Sequence, residues 1–376
     1  MNNSPPKKRV LLVIAGLPAG GAERQMSLLA KGLDRSTFDV GLLIFNSAEK
    51  IHYPDIFEAP LWFRALELSS MNDGVLLIPK LILGIRRAIS DFKPEIIHTT
   101  LNVANHAVRF AALVTGCKLP IITSVRVEYR PSYSASEKQL ERLLWRRSNH
   151  IICNSEATRE QLVLDLRIPA DRITTIPNGI DNAFYNEHPH RPENWPDGRV
   201  ALTVGRFTRQ KNHMALIEAI AELETNNVLD NWVFVFLGDG PLQDTVQSSI
   251  DAHALQNRIN ILPPTQDMPA VYQASDLFIL PSLFEGMSNA LLEAAASGCA
   301  VIVNKSADSA GIINNERGWV AEKSLSETLA TVIACPIDER VRKTENASSY
   351  IKRIFSTQRM ISYTAKVYQT VAPSAA

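Results

Sequence analysis

DLFILPSLFEGMSNALLEAAASG, residues 276–298, reads as a strand, a short loop and a helix in direct succession. Asp276 to Leu280 is a short apolar run, the pattern of a strand buried on both faces of a parallel sheet, and Pro281 and Ser282 end it. From Asn289 onward Ala290, Leu291, Leu292, Ala294 and Ala295 favour helix, and Gly298 is a natural stop. Glu285 therefore falls in the loop and Glu293 inside the helix, eight positions apart. A carboxylate beyond the carboxyl end of a parallel strand lies where open α/β sheets bind ligands. The amides of Gly286, Met287, Ser288 and Asn289 point at the same space, and the helix dipole favours an anion there. A plainer reading also holds for the two glutamates: one suits a helix start electrostatically, and one in mid-helix is solvated.

A second unit of the same kind is VALTVGRFTRQKNHMALIEAIAEL, residues 200–223. Val200 to Val204 reads as a buried strand, Gly205 allows a tight turn, and Met214, Leu216, Ile217, Ala219 and Ile220 give a helix with an apolar face. Arg206 and Lys211 thus lie at the strand's carboxyl end, where fixed cations act on developing negative charge. WVFVFLGDGPLQD, residues 232–244, adds a strand and a Gly-Asp-Gly-Pro turn that reads as structural. Near the start, RVLLVIAGLPAGGAERQMSLLAKGL, residues 9–33, repeats strand, glycine loop and helix. Its glycines, Gly16, Gly20 and Gly21, lack the dinucleotide spacing, which argues against hydride transfer.

The segments carrying Arg206, Lys211, Glu285 and Glu293 resemble the donor site of the retaining glycosyltransferases of family four, which have the GT-B fold. That resemblance implies that Glu285 lies by the donor sugar and Glu293 binds the ribose hydroxyls. It further implies that Arg206 and Lys211 grip the donor diphosphate, giving Glu285, Arg206 and Lys211 as the catalytic set. Gly286, Met287, Ser288 and Asn289 would complete the donor pocket, and Gly20 and Gly21 resemble the family's amino-terminal loop, whose amides approach the substrates. In PEIIHTTLNVANH, residues 94–106, His98 matches a family histidine, but Thr100 stands where many members have a second one. His98 is thus either an acceptor-side residue or a buried, hydrogen-bonded one. Arg126, after another strand, either holds an acidic group of acceptor or donor or is solvated.

Strands alternate with helices throughout, which implies parallel sheets with helices on both faces: an α/β protein with two Rossmann-like doubly wound domains facing across a cleft. The expected division is 1–186 for an acceptor-side domain, 187–198 for a Pro-rich linker holding Pro189, Pro192 and Pro196, and 199–355 for the donor-binding domain. Residues 356–376 are expected to form a helix crossing back to the first domain, with Met360, Ile361, Tyr363, Val367 and Tyr368 in helical register.

Lysine plus arginine and aspartate plus glutamate both number 39, so nothing in the charge balance points to nucleic acid. Cys117, Cys153, Cys299 and Cys335 have no zinc or redox spacing, and no Asp-x-Asp triplet occurs, so no metal or cofactor is expected. The start carries no signal peptide pattern, and no apolar stretch reaches the ~20 residues of a membrane span. A cytoplasmic location is the resulting expectation. Residues 136–150 and 76–89 combine cations with leucines and isoleucines, so peripheral contact with the inner face of the cell membrane is a secondary expectation against ordinary packing on the sheet. The expected partners are a nucleotide-sugar donor and a glycan or lipid-linked acceptor. The expected reaction is hexosyl transfer to a hydroxyl with retention, in bacterial surface polysaccharide or glycolipid assembly; a nucleotide-sugar epimerase or hydrolase and a catalytically silent binding partner are the alternatives.

Overall fold

The computed structural model describes residues 7–18, 20–46, 51–68, 77–126, 134–186 and 191–372. The chain divides into two units, one made of Met1–Gly179 with Thr357–Ala376, the other of Ile180–Ser356.

The first unit is built on seven strands, β1 (Lys8–Ile14), β2 (Phe38–Ile44), β3 (Trp62–Ala65), β4 (Ile96–Thr100), β5 (Ile121–Val125), β6 (His150–Cys153) and β7 (Ile173–Thr175). They lie in the order β3-β2-β1-β4-β5-β6-β7, all parallel. β1 and β4 are buried along most of their length because helices cover both faces. On one face sit the helix Gly21–Gly32 and the carboxy-terminal helix Thr357–Val371, whose Met360, Ile361, Val367 and Tyr368 share a core with Met26, Leu29 and Ala30. Contact between these helices is close: a Cβ on Gly32 would stand 2.1 Å from Ile361 Cδ1. The opposite face carries the helices Leu77–Phe92, Asn102–Thr115, Ala135–Leu144 and Glu156–Leu166.

The second unit has β8 (Arg199–Val204), β9 (Trp232–Leu237), β10 (Ile259–Leu262), β11 (Leu277–Leu280), β12 (Ala300–Asn304) and β13 (Trp319–Ala321). Their order is β10-β9-β8-β11-β12-β13, again parallel throughout. The chain winds outward from β8 to β10 and then returns to the other side of β8 with β11. A crevice opens at such a reversal, between the loops that leave the two central strands at their carboxyl ends.

Two expectations need correction. Residues 187–190 lie outside the described residues, but the stretch from 191 to 198 is no free linker: Trp195 is buried and its indole donates to the Ala274 carbonyl at 3.1 Å, fixing that stretch to the second unit. The division falls earlier, at Gly179 and Ile180, because Ile180 and Phe184 already pack in the second core. The edge strand β3, four residues long and only partly buried, is not among the strands expected from the sequence.

A buried ion pair ties helix Asn102–Thr115 to helix Ala135–Leu144. The Arg109 guanidinium donates to both Glu141 oxygens at 2.7 and 2.6 Å, and His106 Nε2 approaches one of them at 2.9 Å. Burial pushes the Glu141 carboxyl up, but hydrogen bonds and charge from Arg109 and His106 outweigh it and hold it at about 2. Its contribution to stability is therefore complete above the ordinary 4.5 and lost as pH falls toward 2. Glu141→Ala strands a buried guanidinium and is expected to cost about 3–5 kcal/mol, read as a lowered thermal midpoint at pH 7. The gap between variant and parent should shrink in acid; an undiminished gap at pH 3 would contradict this account.

Candidate active site

The loops after β8 and β11 are the two that flank the reversal in the second unit, and they carry the charged residues singled out in the sequence. Lys211 Nζ donates to Glu285 Oε1 at 2.6 Å, with the two side chains 21% and 11% exposed. The β8 loop is fastened to the β11 loop along its length. Leu283 N–H donates to the Gln210 carbonyl at 2.8 Å, Gln210 Nε2 to the Phe284 carbonyl at 2.9 Å, and Asn212 Nδ2 to the Pro281 carbonyl at 3.2 Å. From beyond β12, the Ser309 hydroxyl reaches the carbonyls of Glu285 and Gly286, both at 3.3 Å. Neither Ser309 nor Gln210 carried any signal in the sequence, because each acts through backbone groups of a distant loop.

Backbone packing sets the position of Arg206. The Phe207 amide donates to the Asp239 carbonyl at 2.7 Å, and the Leu242 amide to the Phe207 carbonyl at 3.0 Å. A Cβ on Gly238 would meet the Gly205 carbonyl oxygen at 2.2 Å, and one on Gly240 the Phe207 nitrogen at 2.5 Å. The Gly-Asp-Gly turn is thus structural, as its sequence suggested, and it braces the loop that bears Arg206. Arg206 itself is exposed and forms no ion pair among the described residues. Behind this loop His213 opens the helix His213–Thr225, buried between Phe207 and Phe236 at ring distances of 4.7 and 5.5 Å. Neither ring nitrogen has a hydrogen-bond partner among the described residues; burial first, and Lys211 second, push it down to about 4, so it packs as a neutral ring.

The loop from Glu285 to Ser288 is buried, and Ser288 caps the helix Asn289–Ala296 by accepting from the Leu291 amide at 3.3 Å. The Gly286 amide donates to no group among the described residues and remains available to an incoming oxygen. Glu293, on the same helix, is 5% exposed and accepts from the Tyr272 hydroxyl at 3.2 Å. The second unit therefore brings Lys211 and Glu285 into contact, holds Arg206 on the adjoining turn, and sets Glu293 one helical turn beyond the Ser288 cap. Among the described residues no group of three or more His, Cys, Asp and Glu side chains is placed to hold a metal.

In the first unit, Gly20 precedes the helix Gly21–Gly32, and the Tyr53 hydroxyl donates to its carbonyl at 3.0 Å. His98 is fully buried. Its Nδ1 meets the Tyr368 hydroxyl at 2.6 Å and its Nε2 the Ser124 hydroxyl at 2.7 Å, while burial, aided by Arg126, pushes it down to about 3. With both nitrogens engaged and its side chain buried, it joins the carboxy-terminal helix to β4. Arg126, just past β5, is 8% exposed. It donates to Asn178 Oδ1 at 2.9 Å, leaves Nε without a partner among the described residues, and is pushed down by burial to about 10, still cationic at neutral pH. The adjoining stretch 127–133 lies outside the described residues.

Two family profiles match successive parts of the chain: "Glycosyltransferase Family 4" over residues 19–184 and "Glycosyl transferases group 1" over residues 186–353. The chain belongs to the family-four glycosyltransferases. It is similar to the Escherichia coli UDP-Gal:alpha-D-GlcNAc-diphosphoundecaprenol alpha-1,3-galactosyltransferase, 25% identical over 346 residues covering 86% of this chain and 88% of that one. A Campylobacter jejuni relative, N-acetylgalactosamine-N,N'-diacetylbacillosaminyl-diphospho-undecaprenol 4-alpha-N-acetylgalactosaminyltransferase, is 28% identical over 351 residues, with 88% and 91% covered. Among solved structures, Anabaena HepE with UDP and glucose superposes with a TM-score of 0.80 at 18% identity, over 96% of this chain and 100% of that one, which places the fold in the same GT-B class. The enzyme is a glycosyltransferase of the retaining type that this family comprises.

Because the Arg206 turn rests on bare glycine backbone, Gly238→Ala is expected to displace it. Nucleotide affinity measured by calorimetry should fall at least tenfold while circular dichroism stays close to that of the parent. Unchanged affinity would show that the turn does not position the site.

Proposed function

We propose that this enzyme transfers a hexosyl group from a nucleotide diphosphate sugar to a hydroxyl of a lipid-linked glycan, with retention, in the assembly of a bacterial surface polysaccharide or glycolipid. The observation that carries this reading is the contact of Lys211 with Glu285 at the strand-order reversal of the second unit. The E. coli and C. jejuni relatives named above act on acceptors linked to diphosphoundecaprenol, and the same acceptor class is extended here to this chain.

In this mechanism Lys211 is held by Glu285 until donor enters, and the diphosphate then shares the ammonium. Arg206, Lys211 and the Gly286 amide offset the charge that grows on the diphosphate as the bond from the anomeric carbon to its oxygen breaks. Glu285 faces the sugar and stabilises positive charge on it. Glu293, already an acceptor for the Tyr272 hydroxyl, takes the ribose hydroxyls, and the Met287, Ser288 and Asn289 backbone lines the pocket. The acceptor oxygen attacks the face that the diphosphate leaves, and its proton passes to the departing phosphate oxygen, so one C–O bond replaces another with retained configuration. In the first unit the Gly20 and Gly21 amides contribute to donor binding. Arg126 is assigned to an acidic group of the acceptor, because its charge is buried without a carboxylate partner among the described residues.

The test is incubation with UDP-, GDP- and ADP-sugars and a polyprenyl diphosphate-linked acceptor, with the product's anomeric configuration read by NMR. Acceptor-independent loss of donor, or tight donor binding without turnover, would overturn the reading. Lys211→Ala should lower kcat by about a hundredfold to a thousandfold, the usual cost of removing one transition-state donor. Arg126→Ala should raise KM for the acceptor about tenfold or more, with donor affinity unchanged, as expected for loss of a hydrogen bond to a charged group.

A further inference from the structure

Strand order reverses in the first unit as it does in the second. From β1 the chain winds outward to β2 and β3, then returns to the other side of β1 with β4, so the loop leaving β1 stands at the edge where open α/β sheets bind ligands. That loop ends in Gly20 and Gly21, and Gly21 opens the helix Gly21–Gly32.

A helix start leaves amides to be satisfied, and this chain meets the need in two ways. At Ser134 the ordinary solution holds: its hydroxyl accepts from the Glu137 amide at 3.3 Å, and Glu137 Oε2 accepts from the Ser134 amide at 2.8 Å. Helix Gly21–Gly32 has Glu23 at the matching third position, but Gly20 stands before it and supplies no side chain. A Cβ on Gly20 would lie 2.2 Å from a Glu23 carboxylate oxygen, so a capping side chain and this placement of Glu23 exclude each other. The Tyr53 hydroxyl comes in instead, from 33 positions along the chain. It accepts from the Gly20 amide at 3.3 Å and donates to the Gly20 carbonyl at 3.0 Å. One oxygen can do both because Gly20 is extended, with φ −163° and ψ 157°, and an extended residue turns its amide and carbonyl to the same side.

Tyr53 is itself held in place. The His52 amide donates to the Leu17 carbonyl of the same β1 loop at 2.9 Å, and the His52 and Tyr53 rings meet edge to face at 5.2 Å. The short turn Pro54–Phe57 that follows buries Ile56 completely in the core that also holds Met26 and Leu29. Asp55 pairs with Lys31 Nζ at 2.8 Å, near the far end of the glycine-opened helix. That pair is partly exposed and contributes little, so Ile56 is the anchor. The segment therefore touches helix Gly21–Gly32 at its start and near its end, with the Tyr53 hydroxyl at the start.

We propose that Tyr53 is the positioning residue of this turn: its hydroxyl grips Gly20 on both sides and so holds the Gly21 amide in the direction that meets the donor. This role rests on the donor-binding reading of the turn given above and narrows it to Gly21, since the Gly20 amide is already engaged. Without the hydroxyl, the Gly20 carbonyl keeps its bond from the Arg24 amide at 3.0 Å while the Gly20 amide loses its partner, so the helix survives and the turn before it loosens. A turn fixed in advance loses no freedom when the ligand arrives, whereas a loosened one must be ordered and binds more weakly.

The experiment is steady-state kinetics of the full chain with the UDP-, GDP- or ADP-sugar that it consumes, for the parent, Tyr53→Phe, Gly21→Pro and the double variant. Proline is tolerated at the first helical position and follows an extended residue well, so Gly21→Pro removes one amide and spares the helix. Tyr53→Phe should raise donor KM about fivefold, the usual effect of one hydrogen bond, with kcat, acceptor KM and thermal midpoint close to those of the parent. The double variant should be no worse than Gly21→Pro alone, because Tyr53 acts through that amide. Losses that multiply in the double variant, or a fall in kcat with donor KM unmoved, overturn the proposal. Donor KM raised by Gly21→Pro but not by Tyr53→Phe keeps the donor-binding reading of the turn and sinks the role of Tyr53; donor KM unchanged in both sinks the two together. Should no sugar be consumed, the proposed function fails and hydrogen exchange decides on Tyr53: the Gly20 amide is expected to exchange about fivefold faster in Tyr53→Phe, and equal rates overturn the grip.

Discussion

The adjacency of β8 and β11 is the constraint on which the candidate site depends. Two strands separated by two intervening strands in the chain become neighbours because the winding reverses at β8, and parallel pairing puts both carboxyl ends on one edge. Lys211 leaves the first and Glu285 the second, so their 2.6 Å contact is a consequence of strand order before it is one of charge. Partial burial then makes the contact effective, since an ion pair in open water contributes little.

What holds those loops is mostly backbone. Gln210, Asn212 and Ser309 spend their side chains on carbonyls of the opposing loop, and the Gly238 and Gly240 turn packs bare main chain against Gly205 and Phe207. A charged side chain rooted in such a turn is oriented before any ligand arrives. For a reaction whose difficulty lies in charge accumulating on a leaving diphosphate, orientation in advance is where a protein gains most. The neutral His213 beneath the loop fits this picture, as it adds packing without competing for the anion.

The first unit solves a different problem with similar means. His98, Ser124 and Tyr368 form a buried neutral chain of hydrogen bonds linking β4, β5 and the carboxy-terminal helix, and Gln25 exchanges two hydrogen bonds with the Gly179 backbone. Buried polar networks that are fully satisfied favour one arrangement over near alternatives, because any shift leaves groups unpaired. Arg126 stands close to this network with a charge that nothing among the described residues neutralises. The same sheet thus carries a closed polar interior on one side and, on the other, helices that leave several apolar residues exposed.

Much was legible from residues alone. Apolar runs such as Leu277 to Leu280 marked the parallel strands, and the turn glycines marked loops at their carboxyl ends, because both signals are local. Lys211 and Glu285 stood out for the same reason, each being a charge placed just beyond a buried strand. The role of Ser309, the neutral packing of His213 and the engagement of both nitrogens of His98 were not legible, since each depends on neighbours far along the chain. The stretch 187–198 looked like a linker by composition, yet Trp195 found a buried carbonyl at Ala274. Sequence by itself determined the element types and which loops carry charge, since periodicity and turn chemistry act over a few residues. Only the tertiary structure decided which charges meet and which polar groups are silenced, because both depend on strand order and burial, which no short window contains.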